Sequence, residues 1–193
     1  MKYILLIIGL SLTLNSYSQD KLIFKDGNEK TGKVIEINKS KIKFIADGTE
    51  KKKTYNQKDL DKVLVLENGE EVEYLFAQVP TLGTVLLAKI SQGGEGKASL
   101  YVTQSYIYGG DTKGVGGFTT HHNGGSVLLY YAKRDNEKNY YDLNYDGAVV
   151  NKFKNRASKY LKDCPELANR IKNREFGKLD VREIFRIYDE ECK

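Results

Sequence analysis

The sequence predicts an α+β fold: a small antiparallel β-barrel-like N-terminal unit, a Tyr-rich antiparallel β segment, and a C-terminal three-helix tail with a disulfide. Three observations carry that prediction. Turn pairs (Asp26-Gly27, Asp47-Gly48, Asn68-Gly69) cut the first third into short β-prone runs. Eight of the fourteen tyrosines, Tyr101, Tyr106, Tyr108, Tyr130, Tyr131, Tyr140, Tyr141 and Tyr145, crowd the middle. After residue 151 apolar residues recur at helical spacing, and both cysteines lie there. At 193 residues and 40% hydrophobic, the chain suits one domain or two small ones and is too apolar for wholesale disorder.

Residues 1–18 read as an export leader. Lys2 is its positive end, Ile4 to Leu10 is apolar apart from Gly9, and Ser16-Tyr17-Ser18 sets small residues at the −3 and −1 positions of a cleavage site. A membrane-spanning helix needs roughly twenty apolar residues, more than this run supplies. The expected mature chain starts at Gln19 and is exported, to the periplasm or beyond the cell, with no transmembrane span.

Residues 19–76 form the expected SH3-like or Sm-like unit, with a flat meander as the alternative. Its runs are Lys21 to Lys25, Thr31 to Ile37, Lys41 to Ile45, Lys53 to Asn56, Val63 to Leu66 and Glu71 to Leu75. Ile42 and Phe44 alternate with Lys41 and Lys43, the period of a strand buried on one face. Asn68-Gly69 between apolar runs is the strongest hairpin signal. Barrel closure would remove unpaired edges. Asn38-Lys39-Ser40 fits a glycosylation sequon but sits where a turn is needed.

Residues 77–150 are the Tyr/Gly-rich segment. Val79-Pro80-Thr81-Leu82-Gly83 reads as a joint, and Thr84 to Ile90 as helix or strand. Ala98 to Tyr108 and Ser126 to Lys133 read as strands, with Asn139 to Leu143 as a partner for the second. Gly109 to Gly125, with seven glycines, reads as a loop.

Residues 151–193 read as three helices. Phe153, Ala157, Tyr160 and Leu161 share one face. Asp163-Cys164-Pro165-Glu166 supplies an expected N-cap at Asp163, an early proline and a capping-box glutamate. Gly177 marks a break, Asp180 to Glu183 repeats the capping box, and Val181, Ile184, Phe185, Tyr188 and Cys192 share the last face. In an antiparallel pair of the last two helices, Cys164 at the start of one meets Cys192 at the end of the next. A structural disulfide is therefore expected in an oxidising compartment.

The charge excess is local. Residues 20–75 and 76–150 are each balanced, and residues 151–193 carry 12 Lys/Arg against 8 acids. That is too dilute for a nucleic-acid face, so no nucleic acid is expected, but it suits weak contact with anionic lipid or glycan. Catalytic and metal spacings are missing: there is no nucleophile elbow, and Gly93 to Ala98 and Gly114 to Gly117 depart from phosphate-loop patterns. Asn144-Tyr145-Asp146-Gly147 starts like a calcium loop but lacks its twelfth-position glutamate. No cofactor or metal is expected. His121 and His122, with Asp111 nearby, are the one set that could serve a hydrolase or metal enzyme.

The leader ending in Ser-Gln-Asp, the run Lys21-Leu22-Ile23-Phe24-Lys25-Asp26-Gly27 and the strand Gly32-Lys33-Val34-Ile35-Glu36-Ile37 resemble a group of exported proteins of Bacteroidetes-type bacteria. Gly96 to Tyr101 and Tyr160 to Leu167, with its Asp163-Cys164-Pro165, are similar to later segments of that group. The resemblance implies export and this architecture and brings no catalytic residues. The expected function is a non-enzymatic binding protein of the cell envelope, meeting another envelope or secreted protein through Tyr101, Tyr106, Tyr108, Tyr130 and Tyr131. The alternatives are the His121/His122 enzyme and a surface protein held to anionic lipid or glycan by its basic helices.

Overall fold

The computed structural model describes residues 19–192, apart from 39, 80–81, 92, 94–96, 108–110, 114–118, 122–124 and 145–151. The expected export leader, Tyr108, His122, the Gly114 to Gly117 run and most of the calcium-like Asn144 to Gly147 run lie outside the described residues. The chain divides into two compact units, Met1–Glu71 and Val72–Lys193.

The first unit contains β1 (Asp20–Phe24), β2 (Glu29–Ile37), β3 (Lys41–Ala46), β4 (Lys52–Asn56) and β5 (Leu60–Glu67). A 3-10 turn at Gln57–Asp59 precedes β5. The strand order is β5-β1-β2-β3-β4, every pairing antiparallel. Ile42 and Phe44 are fully buried while Lys41 points to solvent, as the period-two pattern requires. The turn after β5 has Asn68 at φ 53 and Gly69 at φ 87, the pair of left-handed residues that a two-residue hairpin turn demands. At the Asn38 turn, the side-chain oxygen accepts from the Lys41 amide at 3.0 Å, so this segment is a turn as expected.

Barrel closure is where the expectation needs correcting. No hydrogen-bonded pairing joins β4 back to β5 among the described residues, so the sheet is open. It is nevertheless strongly curled. In a flat sheet β1 and β4, three steps apart, would be separated by about 14 Å, yet the Phe24 and Tyr55 rings meet at 5.4 Å. Gly32 allows β2 to lie close against β3, since a Cβ there would sit 2.1 Å from the Ile45 carbonyl oxygen. At the start of β1, one Asp20 carboxylate oxygen accepts from the Val34 amide at 2.8 Å and the other from the Leu66 amide at 3.0 Å. The side chain thus satisfies amides on both flanking strands beyond the point where β1 begins.

The second unit contains most of β6 (Glu70–Val79), then β7 (Gly83–Ser91), β8 (Ala98–Ile107), β11 (Gly125–Arg134) and β12 (Tyr141–Asp142), in the order β12-β11-β8-β7-β6. Where a joint is expected, Val79 and Gly83 are themselves paired, the last register position of the antiparallel β6–β7 ladder. Thr84 to Ile90 is strand. The Gly109 to Gly125 segment is not wholly loop: β9 (Asp111–Lys113) pairs with β10 (Thr119–His121), where β-branched threonines cluster.

Three helices follow, α1 (Lys152–Tyr160), α2 (Pro165–Lys172) and α3 (Val181–Glu191). Their apolar stripes meet one sheet face in a core that includes Leu100, Ala132, Phe153, Ala157, Leu161, Leu167, Ile171, Ile184 and Phe185. On the opposite face Leu87, Tyr101 and Tyr131 form a second buried cluster. Cys164 and Cys192 form a disulfide, with Cα atoms 5.5 Å apart. Two helix ends differ from expectation. Cys164, not Asp163, is the N-cap of α2, because the Asp163 carboxylate is drawn to Arg134 and Tyr188. Asp180 makes no side-chain cap to α3; it accepts from the Gly177 amide at 2.8 Å and closes a 3-10 turn, Lys178–Asp180, instead.

Candidate functional site

The densest polar constellation surrounds Arg134 at the end of β11. Its guanidinium donates to Asp163 at 2.8 Å, to the Tyr188 hydroxyl at 3.1 Å, to the Tyr160 carbonyl at 3.2 Å and to Glu137 at 3.3 Å. The Tyr160 hydroxyl donates to Glu137 at 2.6 Å, and the Tyr188 hydroxyl donates to Asp163. Arg134 lies 4.5 Å from the Tyr160 ring centre, Tyr160 stacks on Tyr141 at 4.7 Å, and Arg156 lies 5.1 Å from the Tyr141 ring. This chain of contacts fastens the sheet end to the helices.

Its electrostatics suit a clamp. Burial, and then the Glu137 carboxylate, hold the Tyr160 phenol far above its ordinary value of 10.0. Burial, and then Asp163, push the Tyr188 phenol upward as well. A tyrosine acting as nucleophile or base would need the opposite shift. Burial opposes the Arg134 charge, but the hydroxyl of Tyr188, then Tyr160 and Asp163, outweigh it and the guanidinium is held more firmly protonated than usual.

The candidate binding surface is a groove between α1 and α2. One lobe, of about 350 Å³, is lined by Asn155, Ser158, Lys159, Ala168, Asn169 and Lys172. A second, of about 210 Å³, is lined by Lys154, Asn155, Lys172 and Arg174. Among the described residues, four cations and no carboxylate line this groove, and none of the four pairs with an acid, although Arg170, Arg186, Lys97 and Arg134 of the same unit all do. The first turn of α1 contains no acid. Lys154 therefore stands at the helix end where the backbone dipole disfavours a cation.

Arg174 adds a local anomaly. It follows α2 in the left-handed region, at φ 71, the position at which helices usually place glycine. The amide of Glu175 donates to the Arg170 carbonyl at 3.1 Å and that of Arg174 to Ile171 at 3.2 Å, so the turn is a full Schellman cap. A long side chain at such a φ costs about 1 kcal/mol relative to glycine. Sequence reading placed the break at Gly177, because no glycine marks the true end of α2 at Lys172.

The first unit has its own cleft of about 430 Å³, lined by Phe24, Asp26, Asn28, Glu29, Lys30, Lys53 and Tyr55. Phe24 and Tyr55 form its aromatic floor, with Lys53 and Lys30 at 5.2 and 5.9 Å from the Tyr55 ring.

Two of the five tyrosines expected to form a binding surface are interior. Tyr101 and Tyr131 are cross-strand partners, 7% and 1% exposed, inside the second cluster. Tyr130 is half-buried against the helices, with the Lys178 amine 6.0 Å from its ring. Tyr106 is paired with Ser126 through the backbone, and Tyr108 lies outside the described residues. Tyr131 and Ala132, neighbours on opposite faces of β11, are both buried while Leu128 is 50% exposed, so the end of this strand is covered on both faces. Backbone register sets Asp111 opposite His121. Among the described residues no group of three His, Cys, Asp or Glu could hold a metal ion. No helix among them is long and apolar enough to cross a membrane.

No protein-family model, curated protein or solved structure matches the chain.

Proposed function

We propose that this is an exported, non-enzymatic binding protein of the cell envelope whose ligand is anionic and docks on the α1–α2 groove. The observation that carries this reading is the unpaired set Lys154, Lys159, Lys172 and Arg174 around a groove without a carboxylate. Desolvated or clustered cations repel one another, and an anion arriving between them relieves that repulsion. Long-range attraction from such a cluster also speeds encounter and fades with salt. The disulfide fits an oxidising compartment, which supports export.

The test is sedimentation of the protein with vesicles of phosphatidylcholine alone or mixed with phosphatidylglycerol. Retention on the mixed vesicles only, falling steeply with salt, is the expected result. Equal retention on neutral vesicles overturns the proposal, and so does retention on neither vesicle together with no binding of inorganic phosphate or tripolyphosphate in solution.

A second reading, docking of another envelope or secreted protein, is favoured by the cleft of the first unit. Its aromatic floor and charged rim suit an extended segment better than the buried tyrosines do. On this reading the curled sheet completes a small barrel through Phe24 and Tyr55 packing and not through a strand ladder. Crosslinks from Lys30 or Lys53 to one reproducible protein partner are expected, and crosslinks confined to the second unit would reject it.

A further inference from the structure

We propose that the α1–α2 groove is a two-lobed seat for a ligand with two phosphoryl groups, and that Arg174 is the residue that makes it select for two. The inference rests on the anion-binding reading above and adds the ligand's chemistry.

The groove is not one basin. Its two lobes meet at Asn155 and Lys172, which line both. Lys159 completes the cationic lining of the first lobe; Lys154 and Arg174 complete that of the second. Lys154 and Lys159 are five residues apart on α1, about 7.5 Å along the helix axis. A single carboxylate or orthophosphate reaches one lobe, whereas two phosphoryl groups joined by a short linker fill both and share Lys172.

Phosphoryl is also the better chemical match than carboxylate. Each lobe offers several donors to one anion: the ammonium of Lys172 and the amide of Asn155 in both, with the Asn169 amide and the Lys159 ammonium added in the first. A phosphoryl group has three oxygens to receive them. The second lobe is lined by Arg174, and a guanidinium has parallel donors that match two of those oxygens, which a lysine lacks.

The left-handed backbone at Arg174 strengthens the assignment. Glycine would relax this cap, yet an arginine holds it, and its guanidinium lines the second lobe. The same geometry provides a discriminating variant. Arg174→Gly removes the guanidinium while easing the backbone, so loss of binding in that variant cannot be a folding defect.

The experiment uses the disulfide-bonded mature chain and two sources of the same chemistry. Titration calorimetry with tripolyphosphate and orthophosphate tests the free form. Vesicles containing cardiolipin, with two phosphates on one headgroup, are compared with phosphatidylglycerol vesicles at equal phosphate to test the lipid form. The expected result is at least ~tenfold tighter binding of the two-phosphate member in one or both arms. Arg174→Gly should abolish that preference while leaving the melting temperature unchanged or higher, and Lys159→Gln should do likewise from the other lobe. Preference in the calorimetric arm alone assigns a soluble polyphosphate, and preference in the vesicle arm alone assigns a headgroup. Equal binding of cardiolipin and phosphatidylglycerol, with tripolyphosphate no tighter than orthophosphate, overturns the two-lobed seat and leaves general anion binding standing. No binding to any of them removes both.

Discussion

The Arg134 guanidinium on β11 donates across 2.8 Å to the carboxylate of Asp163, 29 residues further along at the turn into α2. With its side chain only 17% exposed, Arg134 serves two carboxylates and the Tyr188 hydroxyl at once. Replacing Arg134 with methionine keeps the apolar stem and leaves Asp163 and Glu137 facing each other's charge without a cation. Because Asp163 is half exposed, water recovers part of the loss, and a destabilisation of about 2 kcal/mol is expected, below the range for fully buried pairs. Arg134→Lys should recover less than half, since a point charge cannot serve partners in several directions. Urea unfolding measures both, and a change under ~0.5 kcal/mol for the methionine variant would show that the network is ornamental.

The contrast between this network and the elements around it shows what a sequence discloses. The β1–β5 strands, the Asn68-Gly69 turn and the α3 face of Val181, Ile184, Phe185 and Tyr188 were all legible, because each is written within one or two turns of chain. The Cys164–Cys192 pairing was legible for a different reason: helix length and an antiparallel return fix where the two ends meet. Nothing local joins Arg134 to Asp163, 29 residues away, or to Tyr188, 54 residues away. Tyr101 and Tyr131 misled because residue type was weighed above pattern, and their register opposite one another on a doubly buried strand pair was not visible. The basic groove was half legible. The charge excess after residue 151 was plain, but its gathering onto one side of α1 and α2 depends on Arg174 adopting a left-handed turn that arginine rarely takes.

The buried phenols make an alkaline prediction. Tyr160 and Tyr188 are both held above their ordinary 10.0, by burial first and by carboxylates second. A folded-state value raised above the unfolded one contributes stability that is complete below pH 10 and is lost as pH rises through the folded value. Tyrosinate absorbance should therefore rise in two stages, the exposed rings near pH 10 and the clamp rings only together with loss of circular dichroism. Simultaneous ionisation of every ring before any loss of structure would contradict the placement of Tyr160. Tyr160→Phe should shift the second stage to fewer rings and cost about 1–2 kcal/mol near neutral pH, the worth of a hydrogen bond to a charged partner.

The disulfide links folding to the proposed surface. Cys164 and Cys192 are 28 residues apart, and in the chain-entropy account closing such a loop stabilises the fold by about 3.5 kcal/mol. The double variant Cys164→Ser/Cys192→Ser should lose roughly that much in urea unfolding. Helix α2 carries Asn169 and Lys172 and is followed by Arg174 in its C-terminal cap, so the same variant should bind anions more weakly at temperatures where the α2–α3 pair loosens. Unchanged stability after removal would mean that the helix pair is held by its apolar core alone.

In the first unit Gly27 isolates backbone strain, and Gly32, at φ 158, adds close packing to it. Gly27 sits at φ 84 with no atom near its missing Cβ, so Gly27→Ala meets only the left-handed penalty, about 1 kcal/mol. Gly32 is different. A Cβ there would lie 2.1 Å from the Ile45 carbonyl oxygen and 2.8 Å from the end of the Phe44 ring, one a backbone atom and the other a fully buried side chain. Neither can move without parting β2 from β3 or shifting Phe44, whose ring also meets Tyr55 at 6.3 Å. Gly32→Ala should thus cost about 3 kcal/mol, at the upper end for an overpacked core position. Hydrogen exchange should quicken most at the β2–β3 amides and then at the curl that brings Phe24 to Tyr55. A smaller effect at Gly32 than at Gly27 would show that positive φ, and not the approach of β3, decides the cost in this unit.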